Sequence, residues 1–156
     1  MPHFETTRRV PYSAAEMYAI ASDVERYPEF LPLCTGLKIL TRDAVADGED
    51  LTAKMSAGYK SITESFSTSV HLRPASNAID ARYLDGPFSR LENRWRFKDH
   101  ADGRGCDVNF FIAYEFRSPI LAVLAGSVFD QAFRKFSEAF EMRAQKIYGV
   151  RTSVSV

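Results

Sequence analysis

Three histidines, two cysteines and a scatter of carboxylates and tyrosines are the side chains of this 156-residue chain that could move a proton, hold a metal or attack a substrate. Their spacing assembles none of these functions. His3 sits at the terminus, His71 falls on the polar side of an alternating segment, and His100 lies in a run of turn residues. Cys34 and Cys106 match no metal-ligand spacing, and two cysteines make no disulfide framework. Acid–base catalysis needs a group of matched pKa within reach of the substrate, and nucleophilic catalysis needs a nucleophile beside its base. Tyr114 and Glu64 are the remaining candidates, too few for a mechanism. Glu64 stands in phase with Ile62, Phe66 and Val70 on an apolar strand face. A lone buried carboxylate is costly. The position therefore calls for a sheet end open to water, for Arg8 or Arg9 as partner, or for a protonated carboxyl that donates to a ligand carbonyl.

A second kind of chemistry is written in DVERYPEFLPLC, residues 23–34. Tyr27, Phe30, Leu31 and Leu33 are apolar or aromatic, and Pro28 and Pro32 keep them out of a regular helix. Tyr27 and Leu31, each ahead of a proline, are pushed toward extended conformations. Such a stiff apolar segment either plugs the end of a core or forms a lip over a cavity. The lip reading has the segment touch a membrane, so that a lipid tail avoids water during transfer.

Bulk properties narrow the choice. Apolar residues make up 46% and charged residues 26%, an ordinary globular composition. One domain of this length buries enough surface to need no metal or disulfide. Twelve phenylalanines and seven tyrosines can fill a core or line an apolar cavity. Twenty basic residues balance twenty acidic ones, so the excess positive charge of a dedicated nucleic-acid binder is missing and DNA is not an expected partner. No apolar run approaches the roughly 18 residues of a membrane span. The start, MPHFETTRR, has no hydrophobic signal region. A cytoplasmic protein is expected, with peripheral contact at the inner face of the membrane.

The positioning elements follow from periodicity. Residues 2–10 read as a strand, and Ser13-Ala14-Ala15-Glu16 is a capping box opening a short helix with Met17, Ile20 and Ala21 on its apolar stripe. A second helical turn is expected at Val24–Tyr27. From 35 onward the pattern has period two. Leu51, Ala53, Met55 and Ala57 share one face, with a hairpin turn at Tyr59 and Lys60. Ile62, Phe66, Val70 and Leu72 follow, then a strand over 78–85 that stops at Gly86-Pro87. Leu91, Asn93, Trp95 and Phe97 alternate with charged residues, and Cys106 to Phe116 is the longest alternating strand. Ser118-Pro119 opens a helix expected to run unbroken to Tyr148, about 45 Å long, with Gly149 as its stop. Leu121, Leu124 and Val128 supply its first apolar face, continued by Phe129, Phe133, Phe136 and Phe140. Arg134, Lys135, Arg143 and Lys146 alternate with Glu138 and Glu141, which reads as a solvated face. The expected architecture is α+β: a curved antiparallel sheet wrapped around one long C-terminal helix, roofed by short N-terminal helices. This is a helix-grip fold with room for a ligand between sheet and helix. It occupies residues 1–149, followed by a disordered tail at 150–156.

DVERYPEFLPLC, then LDGPFSRLENRWRF, then AFEMRAQKIYG, in this order, resemble coenzyme Q-binding proteins of the START superfamily, which are grouped with polyketide cyclase and dehydratase-like domains. The resemblance spans residues 2–149. It implies an apolar cavity that takes ubiquinone or a related polyisoprenoid lipid, delivered without chemistry, in support of respiration and quinone biosynthesis. No cofactor, metal or catalytic residue is expected. Some related bacterial proteins are described instead as ribosome-association toxins that hinder subunit joining, which makes the ribosome the alternative partner. A cyclase or aromatase activity is the second alternative. The expected ligand contacts are Tyr27, Phe30, Leu31 and Leu33 from the proline segment, and Met55, Glu64 and Phe66 from the first hairpin. Trp95, Phe110 and Ile112 complete the sheet side, and Leu124, Val128 and Phe129 the helix side.

Overall fold

Local signals set the N-terminal elements. In the computed structural model, which describes residues 3–59 and 61–151, Ser13 Oγ accepts from the Glu16 amide at 3.0 Å. Glu16 Oε1 in turn accepts from the Ser13 amide at 2.9 Å, completing the capping box. This cap starts α1 (Ala14–Ser22), which buries Ala14, Met17, Ile20 and Ala21. A 3-10 helix follows over Val24–Glu29, longer than the expected turn. Pro28 is tolerated inside it because the helix is too short to require its missing donor. The chain then reverses at Leu33, in the left-handed region at φ 65°, and its carbonyl accepts from the Gly58 amide at 3.0 Å. That bond fixes the proline segment to the sheet.

Seven antiparallel strands form one sheet: β1 (His3–Val10), β2 (Cys34–Val45), β3 (Gly48–Tyr59), β4 (Ile62–Arg73), β5 (Ala78–Asp85), β6 (Phe88–Asp99) and β7 (Cys106–Phe116). Their spatial order is β1-β7-β6-β5-β4-β3-β2, a meander whose far edge is joined by the N-terminal strand. The Lys60 half of the expected β3–β4 turn lies outside the described residues. Gly86 adopts φ 141° between β5 and β6, where an added Cβ would sit 2.6 Å from that of Phe66. Glycine therefore lets this turn lie directly on β4.

Helices cover the concave face, with one correction to the expected architecture. The long helix is two: α2 (Pro119–Arg134) and α3 (Phe136–Tyr148). At Lys135 the amide donates to Ala132 O at 3.0 Å, a tighter 3-10 step, before Ala139 N returns to Lys135 O at 2.9 Å. The step brings Phe133 and Phe136 edge to face at 5.4 Å on the inner side. The helix phase also differs from expectation. Ala125, Phe129, Ala132 and Phe133 are buried, whereas Leu124 is 63% exposed and Val128 is half-buried. Residues 118–129 are apolar or small around the whole helix circumference, so periodicity selects no face there.

The core is centred on aromatic rings. Phe140 of α3 meets Trp95 of β6 at 4.5 Å, Phe30 at 5.1 Å and Tyr27 at 5.5 Å, each nearly edge to face. Tyr12 is fully buried and donates to Gly149 O at 2.6 Å, tying the start of the chain to the end of α3. Of the expected disordered tail, residues 152–156 lie outside the described residues, and Arg151 holds Glu16 through two bonds of 2.7 and 3.0 Å. Because Phe140 joins sheet, 3-10 helix and α3, Phe140→Ala is expected to cost about 3–5 kcal/mol. Urea unfolding measures this; a loss below about 1 kcal/mol would show that the fold does not depend on this cluster.

Candidate functional site

Between the curved sheet and the helices lies a cavity of about 80 Å³. Its floor is built by the period-two alternation of the central strands. Ala53 and Met55 face it from β3; Phe66, Thr68 and Val70 from β4; Ile79 and Ala81 from β5. Leu91, Asn93 and Trp95 face it from β6 and Ile112 from β7, while Val24, Tyr27 and Leu37 close one side. Phe133 and Phe136, one on each side of the α2–α3 step, form the roof. A second void of about 10 Å³ lies toward Pro32, Leu33, Cys34 and Phe129. Met55, Phe66, Phe133 and Phe136 border both voids and separate them.

Polar groups in the main void are few. Asn93 Nδ2 donates to Phe111 O at 2.9 Å, leaving its second N–H available. The Thr68 hydroxyl makes no hydrogen bond among the described residues, so it is also available as a donor. The Tyr27 hydroxyl donates to Ala21 O, and burial holds its pKa well above the ordinary phenol value. No carboxylate, histidine, lysine or arginine lines either void among the described residues. The site can therefore donate hydrogen bonds to a carbonyl but holds no group that would exchange a proton near neutral pH.

Several of the residues expected to contact a ligand border a void. Tyr27, Met55, Phe66, Trp95 and Ile112 line the main void, and Leu33 and Phe129 the second. Others are corrected. Leu31 is buried in the core, so at this residue the proline segment is a plug and not a lip; Phe30 is half-buried against Phe140. Phe110 lies beneath Trp95, 4.5 Å away, and does not line the cavity. Glu64 stands near the outer end of β4 opposite Ala57, half-buried and outside both voids. Its suggested partners are engaged elsewhere: Arg8 with Glu141 at 2.6 Å, and Arg9 with Asp102 at 2.9 Å. Leu124 and Val128 line neither void. Sequence reasoning missed Thr68, Asn93, Phe133 and Phe136 as site residues. Thr68 was findable, because it stands in phase with Phe66 and Val70.

Three other groups carry catalytic residue types. On the outer face of β3–β4, Ser69 Oγ lies 3.1 Å from His71 Nε2, and His71 Nδ1 lies 2.9 Å from Asp50 Oδ1. Arg73 also holds Asp50 Oδ1 at 2.8 Å, and with His71 it pulls that carboxyl below the usual range. The surrounding amides belong to the β3–β4–β5 ladders, so no donor pair remains to hold an oxyanion. Tyr114 is pushed up to about 12 by burial and does not line the cavity. Cys34 and Cys106 are pushed up to about 11 and about 12 by burial, which keeps both as protonated, unreactive thiols.

Residues 10–141 match the family described as polyketide cyclase / dehydrase and lipid transport. The ribosome association toxin RatA of Escherichia coli (strain K12) is 32% identical over 97% of this chain and 92% of its own. The mitochondrial coenzyme Q-binding protein COQ10 homolog B of Xenopus laevis is 29% identical over 94% of this chain and 59% of its own. Among solved structures, the 18 kDa protein CC1736 of Caulobacter crescentus superposes with a TM-score of 0.78 at 31% identity, covering 96% of this chain and all of that one. The ZhuI aromatase/cyclase of a Streptomyces species gives 0.79 over 99% of both chains at 17% identity, a likeness of fold alone. The family match over most of the length, the seven-stranded curved sheet and the covering C-terminal helices agree: the chain belongs to the polyketide cyclase / dehydrase and lipid transport family and has its START-like, helix-grip fold.

Proposed function

We propose that the protein is a non-enzymatic carrier that binds ubiquinone or a related polyisoprenoid lipid between the sheet and α2–α3, and delivers it through transient contact with a membrane. The cavity carries the reading: its walls are aromatic and aliphatic, and its available polar groups are neutral donors suited to a quinone carbonyl. The COQ10 relative supports the ligand class. Ligand sites of this type usually enclose 300–1,000 Å³, several times the volume here. Occupancy therefore requires Met55, Phe66, Phe133 and Phe136 to part and join the two voids, a displacement that shifting α2 outward would supply. Energetics favour opening against a bilayer. Each buried CH₂ is worth about 0.8 kcal/mol on leaving water, so a five-carbon isoprene unit exposed in transit costs about 4 kcal/mol, and almost nothing if it passes from bilayer to cavity.

Ribosome association is the second reading, favoured by the similarity to RatA over nearly the whole chain. The cations of the solvated helix face give it little help: Arg134 is paired with Asp130 at 2.9 Å and Arg143 with Glu29 at 2.7 Å, leaving Lys135 and Lys146. Native mass spectrometry with lipid extraction, on protein from its own cells, separates the two. Co-purifying quinone is expected. Empty protein that sediments with ribosomal subunits would overturn the carrier.

Two further outcomes follow from the geometry. Trp95, the chain's single tryptophan, is 3% exposed and lines the cavity, so short-chain ubiquinone should quench its fluorescence saturably. Thr68→Val should weaken that binding about five-fold, the value of one hydrogen bond of about 1 kcal/mol; unchanged affinity would remove Thr68 from the site. Cys34 borders the second void, whereas Cys106 sits inside the β1–β7–β6 ladders. At about pH 8, thiol labelling of either residue reports opening, because burial keeps both protonated. Cys34 should label faster than Cys106, and quinone should slow Cys34 alone. Equal rates would place no opening at the Leu33–Phe129 side.

A further inference from the structure

The first three turns of α2 break the rule for a surface helix. From Ser118 to Phe129 the sequence SPILAVLAGSVF contains no charged residue. Ile120, Val123 and Leu124 are 72%, 83% and 63% exposed, and their spacing of three and one puts them on one face. Single exposed hydrophobes are ordinary, but a surface helix normally turns a charged face outward. A contiguous apolar face on three uncharged helical turns calls for an apolar partner.

We propose that this face of α2 docks on a phospholipid bilayer, with Ile120, Val123 and Leu124 inserted among the acyl chains. Three observations choose a bilayer. The same helix roofs both voids through Phe133 and borders the second through Phe129, so a lipid leaving the cavity emerges beside the exposed face. Arg117 lies two residues before the helix, and Arg90 stands near the start of β6 at the same end of the sheet. Neither has a carboxylate within 4.0 Å among the described residues; Arg117 keeps one long bond to Phe88 O at 3.4 Å and Arg90 stands opposite Glu115, so Arg117 is the guanidinium best placed to meet a lipid phosphate. Finally, α2 forms no side-chain hydrogen bond to another element among the described residues, so insertion breaks none. Asp85 and Glu115 lie at that end as well and keep its net charge small. Apolar insertion, and not charge, therefore supplies most of the binding, and anionic lipid adds a modest increment. The inference rests on the carrier reading for its purpose but has its own test.

The full-length chain is mixed with vesicles of phosphatidylcholine, alone or with phosphatidylglycerol, and the bound fraction is read by flotation. Wild type should bind both, a few-fold better with phosphatidylglycerol. Val123→Asp should lower partitioning about ten-fold or more on both. Arg117→Gln should lose only the phosphatidylglycerol increment. Because Val123 is exposed, the Asp variant should keep its circular dichroism and Trp95 emission. Absence of wild-type binding overturns the proposal, as does a folded Val123→Asp that binds equally. A wild-type dimer in analytical ultracentrifugation that Val123→Asp dissociates would assign the face to a second copy. Vesicle-blind protein whose ribosomal co-sedimentation is abolished by Val123→Asp would assign it to the ribosome. Vesicle binding by protein that never carries quinone would uphold the docking face while removing the cargo; quinone-loaded protein that ignores vesicles would do the reverse.

Discussion

The edge-to-face contact between Trp95 and Phe140, at 4.5 Å, is the joint on which the rest of the molecule depends. Trp95 stands at the centre of the sheet, with Phe110 against it from β7, and Phe140 brings α3 down on it. Tyr27 and Phe30 pack on the same Phe140 ring, so the proline segment is positioned by the contact that positions the helix. A sheet with one apolar face needs such a cover. Here the cover is seated at one end by the rings around Phe140, and at the other by Phe133 and Phe129 of α2 against Tyr114 and Phe116, at 5.0 and 5.8 Å.

The cavity is the counterpart of that arrangement. Ala53 and Ala81 present small side chains just where the sheet curves away from the α2–α3 step. An apolar void of about 80 Å³ costs about 2 kcal/mol relative to filled packing, a substantial fraction of a domain's net stability. A chain with twelve phenylalanines could fill it. The void left open, with neutral donors at Thr68 and Asn93, is the feature on which the proposed apolar guest rests.

Much of this was legible in the sequence because it is local. The capping box at Ser13, the Ser118-Pro119 start, the Gly86-Pro87 stop and the alternation through Trp95 each have one physical solution. The cavity residues at Met55, Phe66, Trp95 and Ile112 follow from that alternation. What was illegible depends on competition between equivalent choices. An uncharged stretch such as 118–129 has no preferred face, so packing chose Ala125 and Phe129 over Leu124. The step at Lys135 has no proline or glycine to announce it. Leu31 is buried next to Phe30, whose ring is held by Phe140, more than one hundred residues away in sequence.

The step at Lys135 also separates two kinds of constraint. Beyond it, α3 is held by Arg8 to Glu141, by Arg143 to Glu29 and by Tyr148 to Glu16 O, and the Tyr12 bond to Gly149 follows at its end. Before it, α2 rests on the sheet through side-chain packing and its own Ser118 cap. Substitutions at the paired positions of α3 break bonds to other elements, whereas those on the exposed face of α2 break none. A lineage could thus change its guest or its docking surface by altering one helix, leaving the folding of the other untouched. That division leaves the outer face of one helix free to vary while the sheet and the bonds that hold α3 stay as they are.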